Sequence, residues 1–119
     1  LGMLNDAREN FAAALKRESI ELRVELNDQL GLTKALDQIA ELAVLREDYE
    51  RAATLFAACT AAYDRLHAQR TAHIAAELQA YLKSIQQHLS PADFARATAL
   101  GERMGLDEAV RFALAAARG

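Results

Sequence analysis

Three histidines and one cysteine are the residues best suited to binding a metal in this chain of 119 residues. His67, His73 and His88 are 6 and 15 residues apart, and none lies one helical turn from another or from Cys59. Structural zinc sites need four converging ligands, and di-iron bundles need Glu-x-x-His on two helices. The sequence contains neither arrangement, so we expect no metal and no other cofactor.

Two pairs of polar residues have the spacing of neighbours on a helix. Ser84 and His88 lie one turn apart, but a serine nucleophile also needs a third group to hold its base and donors for the oxyanion. The sequence supplies no such set. His73 and Glu77 have the same spacing and are typical of a solvated helix pair. We therefore expect no enzyme.

Three further features have simple structural interpretations. The five glycines are isolated from one another, so the sequence has no phosphate-binding loop. Cys59 lies among alanines on an apolar stripe, which favours a buried thiol over a reactive one. Asp107 and Glu108 are expected in the first turn of a helix, where the helix dipole favours acidic side chains.

Charge argues against nucleic acid as a partner. The net charge is −3, with −5 in residues 1–50 and +2 in residues 51–119. Two short helices joined at Gly105 have the outline of a helix-turn-helix, yet the second would present Asp107 and Glu108 to the phosphates. DNA-binding domains present basic surfaces instead. We expect no direct nucleic acid binding by this segment.

Composition favours an all-α fold. The chain has 27 alanines and 18 leucines but only 7 valines and isoleucines together. Its longest uncharged run, residues 52–63, is too short to span a membrane. A lone cysteine suits a reducing compartment, and the start at Leu1-Gly2 has no signal-peptide pattern. We expect a cytoplasmic chain without a membrane partner, and a fragment of a longer protein.

Start and stop signals divide the chain into six helices. The first four span about 6–26, 32–46, 49–66 and 71–89, and two shorter helices follow Ser90-Pro91 and Gly105. Ser90 is expected to cap the fifth helix, with Pro91 at its first position. Alanines around most of the third helix permit close approach on several sides and predict that it is central. Short links imply antiparallel neighbours, either in a closed bundle or in stacked hairpins.

Helices two and three resemble one tetratricopeptide unit. The packing residues of the first helix are matched by Leu36, Ile39, Ala40 and Ala43, and the turn is matched by Asp48-Tyr49. In the second helix of the unit, a small, an aromatic and another small residue pack in turn, and these positions are matched by Ala52, Phe56 and Cys59. Glu47 stands where a turn glycine is common. This resemblance favours the stack, a right-handed superhelix of hairpins whose last pair forms a cap.

A wider stretch, from Gly31 through Leu114, resembles the C-terminal tetratricopeptide-like region of large bacterial ATPase and LuxR-type transcriptional regulators. The residues that carry it are Ala35-Leu36, Ile39 to Ala43, Glu50 to Ala53, Leu55, Phe94, Gly101, Met104, Leu106, Glu108 to Val110 and Ala113-Leu114. The resemblance implies a sensing, autoinhibitory or partner-binding arm. No nucleotide-binding loop accompanies it in this sequence.

In tetratricopeptide stacks, the exposed face of the first helix of each repeat lines a groove that holds a peptide or another protein segment. The resemblance assigns this candidate partner-binding surface to Lys34, Asp37, Glu41, Val44 and Leu45. Val44 and Leu45 lie off the packing stripe, and apolar residues outside the core can mark a contact surface. The alternative is that these two pack on helix one or helix four.

We therefore expect a single helical domain over residues 1–119, with a long first helix in 1–30, a tetratricopeptide-like hairpin in 31–69, and terminal helices with a cap in 70–119. Its expected function is a non-catalytic protein-protein interaction or regulatory module of a bacterial signalling or transcriptional regulator. Its partner would be a protein or peptide segment, or other domains of the parent chain. Two alternatives are a helical protein that forms a homodimer for a structural role and a domain that senses a small molecule.

Overall fold

The computed structural model describes residues 28–118, which form five α-helices. They are α1 (Gln29–Leu45), α2 (Tyr49–Arg65), α3 (Ala72–His88), α4 (Pro91–Arg103) and α5 (Leu106–Arg118). No strand occurs within this range, which confirms the predicted all-α class. The expected first helix, about 6–26, lies outside the described residues, so the total of six helices stays a prediction.

Helix α1 begins earlier than the sequence predicted. Residues 27–31 were expected to break the chain, but the Asp28 carboxylate accepts a hydrogen bond of 3.1 Å from the Gly31 amide and caps the helix. A Cβ atom on residue 31 would lie 2.5 Å from the same carboxylate oxygen. Gly31 therefore leaves room for the cap, and the expected start near residue 32 is wrong by about one turn.

Helices α1 and α2 end in the same way, with a residue in the left-handed conformation. Glu47 has φ 63° and His67 has φ 53°. Each end has the paired hydrogen bonds of a Schellman motif, including those from the amides of Asp48 and Ala68 to the carbonyls of Ala43 and Tyr63. Two non-glycine residues thus occupy positions where glycine is common.

The starts of the remaining helices agree with the sequence signals. Thr71 caps α3 by accepting from the Ile74 amide, and Ser90 caps α4 by accepting from the Asp93 amide. Pro91 is the first residue of α4, and the acids of α5 lie in its first turn. The Thr71 cap fixes where the polypeptide turns between α2 and α3, and the Ser90 cap fixes where it turns between α3 and α4.

Helices α1 and α2 form an antiparallel hairpin. The Cys59 thiol, near the end of α2, donates to the Thr33 carbonyl near the start of α1 at 3.7 Å, while residues 46–48 join the opposite ends. Their facing side chains form the largest part of the core: Leu32, Leu36, Ile39, Ala40, Ala43, Ala52, Leu55, Phe56 and Cys59.

Helix α2 is central, as its alanine content predicted, and it contacts each of the other four described helices. Its contact with α4 is very close: a Cβ atom on Gly101 would lie 2.1 Å from the Thr54 carbonyl oxygen and 2.8 Å from the Ala57 Cβ. Helices α3 and α4 touch each other only over a short stretch. Two grooves result, one between α1 and α3 and one over α2 between α3 and α4.

Helix α5 packs across α1 and α2. Its buried face includes Ala109, Val110 and Ala113. The Arg51 guanidinium lies 4.6 Å from the centroid of the Phe112 ring and donates to the Phe112 carbonyl. No helix within residues 28–118 is long and apolar enough to cross a lipid bilayer.

Candidate functional site

The groove between α1 and α3, called here the α1–α3 groove, has a volume of about 330 Å³. Four residues of α1 line it at helical spacing, together with the end of α2, the α2–α3 link and the first half of α3: Lys34, Asp37, Gln38, Glu41, Tyr63, Gln69, Arg70, Thr71, Ile74 and Glu77. Eight of these ten lining residues are polar or charged, and Tyr63 and Ile74 are the aromatic and aliphatic members. The volume of the groove lies within the range of about 300 to 1,000 Å³ that is usual for ligand sites.

A buried ion pair fixes the floor of this groove. The Arg70 guanidinium donates to both carboxylate oxygens of Asp37, from Nε at 2.7 Å and from Nη2 at 2.8 Å. Only 8% of the Arg70 side chain and 9% of the Asp37 side chain are exposed. Because a bidentate pair is directional as well as strong, it holds the α2–α3 link against α1.

The remaining donors of Arg70 are directed at α2. Nη1 donates to the Thr60 hydroxyl at 2.8 Å, and the guanidinium carbon lies 4.9 Å from the centroid of the Tyr63 ring. Burial lowers the pKa of Arg70, but the hydrogen bonds and charge of Asp37 outweigh that effect and hold it above the usual range. Burial is also the main reason that the pKa of Tyr63 is raised. Arg70 therefore stays charged and joins α1, α2 and the link.

Apart from the Arg70–Asp37 pair, the groove has more negative than positive side chains. Lys34 supplies one positive charge, and Glu41 and Glu77 supply two carboxylates. Burial, then the charges of Glu77 and Asp37, raise the pKa of Glu41 above its ordinary value of 4.5. A carboxylate whose negative neighbours oppose its ionisation is stabilised by an incoming cation. The acidic part of the groove is thus suited to a basic side chain.

Of the five predicted surface residues, the structure brings three together. Lys34, Asp37 and Glu41 line the α1–α3 groove, although Asp37 is engaged by Arg70. Val44 and Leu45 do not line it. Val44 is only 8% exposed and belongs to the core, so the expectation that it is exposed is wrong, whereas Leu45 is 55% exposed. Val44 is in the hydrophobic core, and α1 contacts α3 and α5 as well as α2, so its apolar face is wider than one stripe.

The histidines occupy separate places. His67 ends α2 in the left-handed conformation, and the exposed His73 pairs with Glu77 at 2.6 Å, as the solvated-pair interpretation predicted. His88 stacks on Tyr49 with ring centroids 4.1 Å apart. Among the described residues, no group of three or more His, Cys, Asp or Glu side chains is placed to hold a metal ion.

The pair Ser84 and His88 does not have the geometry of a nucleophile and its base. The Nδ1 atom of His88 is 2.8 Å from the Ser84 carbonyl oxygen, so it carries the proton and donates to the backbone. The Nε2 atom faces the Tyr49 hydroxyl at 3.4 Å. Both ring nitrogens of His88 are thus directed away from the Ser84 hydroxyl.

Cys59 lies in the core with 1% of its surface exposed. Burial is the main cause that raises the pKa of its thiol well above the ordinary value of 9.0, and the nearby charge of Asp37 raises it further. Since the thiolate is the reactive form, this environment makes Cys59 inert in the folded protein.

Sequence reasoning missed the residues that α3 and its preceding link bring to the groove. Arg70 is 33 positions from Asp37, and no short-range pattern connects them. Ile74, on the first half of α3, also lines the groove. The available signal was charge alone, an acidic residue at Asp37 on α1 and an arginine at Arg70 just before the start of α3.

Comparison of the chain with protein-family models, with curated proteins and with solved structures gave no match. The site is therefore interpreted from its own geometry and charge.

Proposed function

We propose that this chain is a protein-interaction module without catalysis of its own, and that the α1–α3 groove binds an extended segment of another protein or of a neighbouring domain. The observation that carries the proposal is the convergence of Lys34 and Glu41 with Ile74 and Glu77 around a groove of about 330 Å³. Polar side chains beside a small apolar area give orientation as well as contact.

Charge complementarity defines the occupant. The segment carries a basic side chain that lies between the carboxylates of Glu41 and Glu77, where burial and then the charges of Glu77 and Asp37 raise the pKa of Glu41. An acidic side chain of the same segment faces Lys34. Such charges contribute mainly to specificity and to the rate of encounter.

We propose further that the helices form a tetratricopeptide-like stack, with α1 and α2 as one hairpin and α5 within the cap. The antiparallel α1–α2 hairpin and the position of the groove on the first helix of that hairpin support this assignment. Helices α3 and α4 touch each other less than the two helices of a regular second hairpin would. By its resemblance, the chain acts in a cytoplasmic bacterial signalling or transcriptional regulator, where binding shifts the populations of active and inactive states.

The experiment is a selection of random displayed peptides on the complete 119-residue chain. Enriched peptides are labelled and titrated by fluorescence anisotropy against the wild type and two variants. Glu41→Arg reverses the charge in the groove, and Gln86→Arg is the control, because Gln86 is exposed on α3 and does not line the groove.

We expect the enriched peptides to contain a basic residue and to lose at least about tenfold in affinity for Glu41→Arg, since like charges at an interface are strongly unfavourable. Affinity for Gln86→Arg should equal that of the wild type. Peptides that bind all three proteins equally would show that the groove is not the binding site.

A further inference from the structure

The second groove, called here the apolar groove, lies over α2 between α3 and α4 and has a volume of about 400 Å³. Its floor is the alanine row Ala53, Ala57 and Ala61 of α2, and leucines of α3 and Phe94 of α4 form its walls. The groove exists because α3 and α4 each pack on α2 but hardly touch each other.

One end of this groove is negative. Among the described residues, Asp64 and Glu102 are the only charged ones that line it, and both are exposed. Neither carboxylate forms an ion pair with a side chain within the described part of the chain. The groove therefore combines an apolar body with two unpaired negative charges.

The two acidic residues lie near the ends of their helices. Asp64 is in the last turn of α2, and Glu102 is in the last turn of α4. The Arg65 guanidinium donates to the Met104 carbonyl at 3.4 Å, which shows that these two helix ends are near each other. Arg65 itself does not line the groove. Helix C-termini carry partial negative charge, but Arg65 and Arg103 lie in the same last turns and offset it. The negative charge that lines the groove is therefore that of Asp64 and Glu102.

We propose that the apolar groove binds an amphiphilic cation, a small molecule with an apolar body and one ammonium head group. The apolar body lies on the alanine row between Leu78 and Phe94, and the head group lies at the end that carries Asp64 and Glu102. A volume of about 400 Å³ is of the size of small-molecule pockets. This site is separate from the α1–α3 groove and does not depend on the function proposed for it.

The test uses decyltrimethylammonium as the probe and decanoate as its anionic counterpart, each titrated by calorimetry into the complete chain below the concentration at which micelles form. Two variants change the groove. Ala61→Leu fills its floor from a partly exposed position, and the double variant Asp64→Asn with Glu102→Gln removes its charges.

Each variant has a control of the same kind. Ala75→Leu makes the same enlargement at a partly exposed position of α3 that lines neither groove, and Asp107→Asn with Glu108→Gln removes two exposed carboxylates from α5. Circular dichroism establishes that each variant retains the helical content of the wild type before it is titrated.

We expect the cation to bind one site in the wild type and in both controls, and decanoate to bind at least about tenfold more weakly, since opposite charges at an interface select the partner. Ala61→Leu should abolish binding, and removal of the two carboxylates should weaken it about tenfold. No binding of the cation, equal binding of decanoate, or unchanged binding by Ala61→Leu would each overturn the proposal.

Discussion

Arg70 and Asp37 form a bidentate ion pair that joins the link before α3 to the middle of α1, across 33 positions of sequence. The pair lies under the α1–α3 groove and also reaches Thr60 on α2. The pair therefore holds α1 and α3 in a fixed position relative to each other. Glu41 and Glu77 line the same groove from α1 and α3.

Removal of one member of this pair should be costly. Asp37→Ala leaves the Arg70 charge buried without its partner, so we expect the free energy of unfolding to fall by about 3 kcal/mol. Urea denaturation followed by circular dichroism measures the change. The control Asp64→Ala, at an exposed position of α2, should stay within about 0.5 kcal/mol of the wild type. Equal losses in the two variants would show that the pair contributes no special stability.

The approach of α4 to α2 should depend on the absence of a side chain at residue 101. In Gly101→Ala, the new Cβ would meet the Thr54 carbonyl oxygen at 2.1 Å, so the helices must move apart. We expect a loss of about 2 kcal/mol in the free energy of unfolding, as in other overpacked cores. The control is Gly105→Ala, because no heavy atom lies within 4 Å of a Cβ there. Similar thermal denaturation midpoints for both variants would contradict the close crossing.

The end of α1 carries avoidable backbone strain. Glu47 adopts φ 63°, a conformation that glycine reaches without steric cost. We expect Glu47→Gly to raise the free energy of unfolding by about 0.5 to 1 kcal/mol, the relief of strain being partly offset by the greater freedom of the unfolded chain. Arg46→Gly, at the preceding residue with φ −91°, should lower it instead. The left-handed assignment is wrong if both variants change stability in the same direction.

Much of the fold follows from local sequence, whereas the groove depends on distant contacts. Helices α2 to α5 could be predicted because their apolar periodicity and caps such as Ser90 act within a few residues. The burial of Val44 could not, because this residue lies off the single packing stripe of α1, and α1 contacts three other helices. The same holds for Arg70, whose role depends on how the link before α3 folds back onto α1.

Protonation of Glu41 should affect stability in a defined direction. The pKa of Glu41 is raised in the folded protein, chiefly by burial and then by Glu77 and Asp37. The folded state therefore binds this proton more tightly than the unfolded chain, and stability from this group is lost as pH rises above the ordinary value of 4.5. Glu41→Gln should resemble the wild type near about pH 4 and exceed its stability near about pH 7. Urea titrations at both pH values measure this difference, and a difference that does not grow with pH would contradict the assignment.

The most direct test of the interaction-module proposal is to map a selected basic peptide onto the complete chain by amide chemical shifts in ¹H–¹⁵N correlation spectra. We predict that the largest shifts fall on the groove-lining residues of α1, the link and α3, including Lys34, Glu41, Arg70 and Ile74, and that the Glu41→Arg variant loses them. Shifts confined to α5 or to the surface around Leu45, or spectra that change only through self-association of the chain, would contradict the proposal.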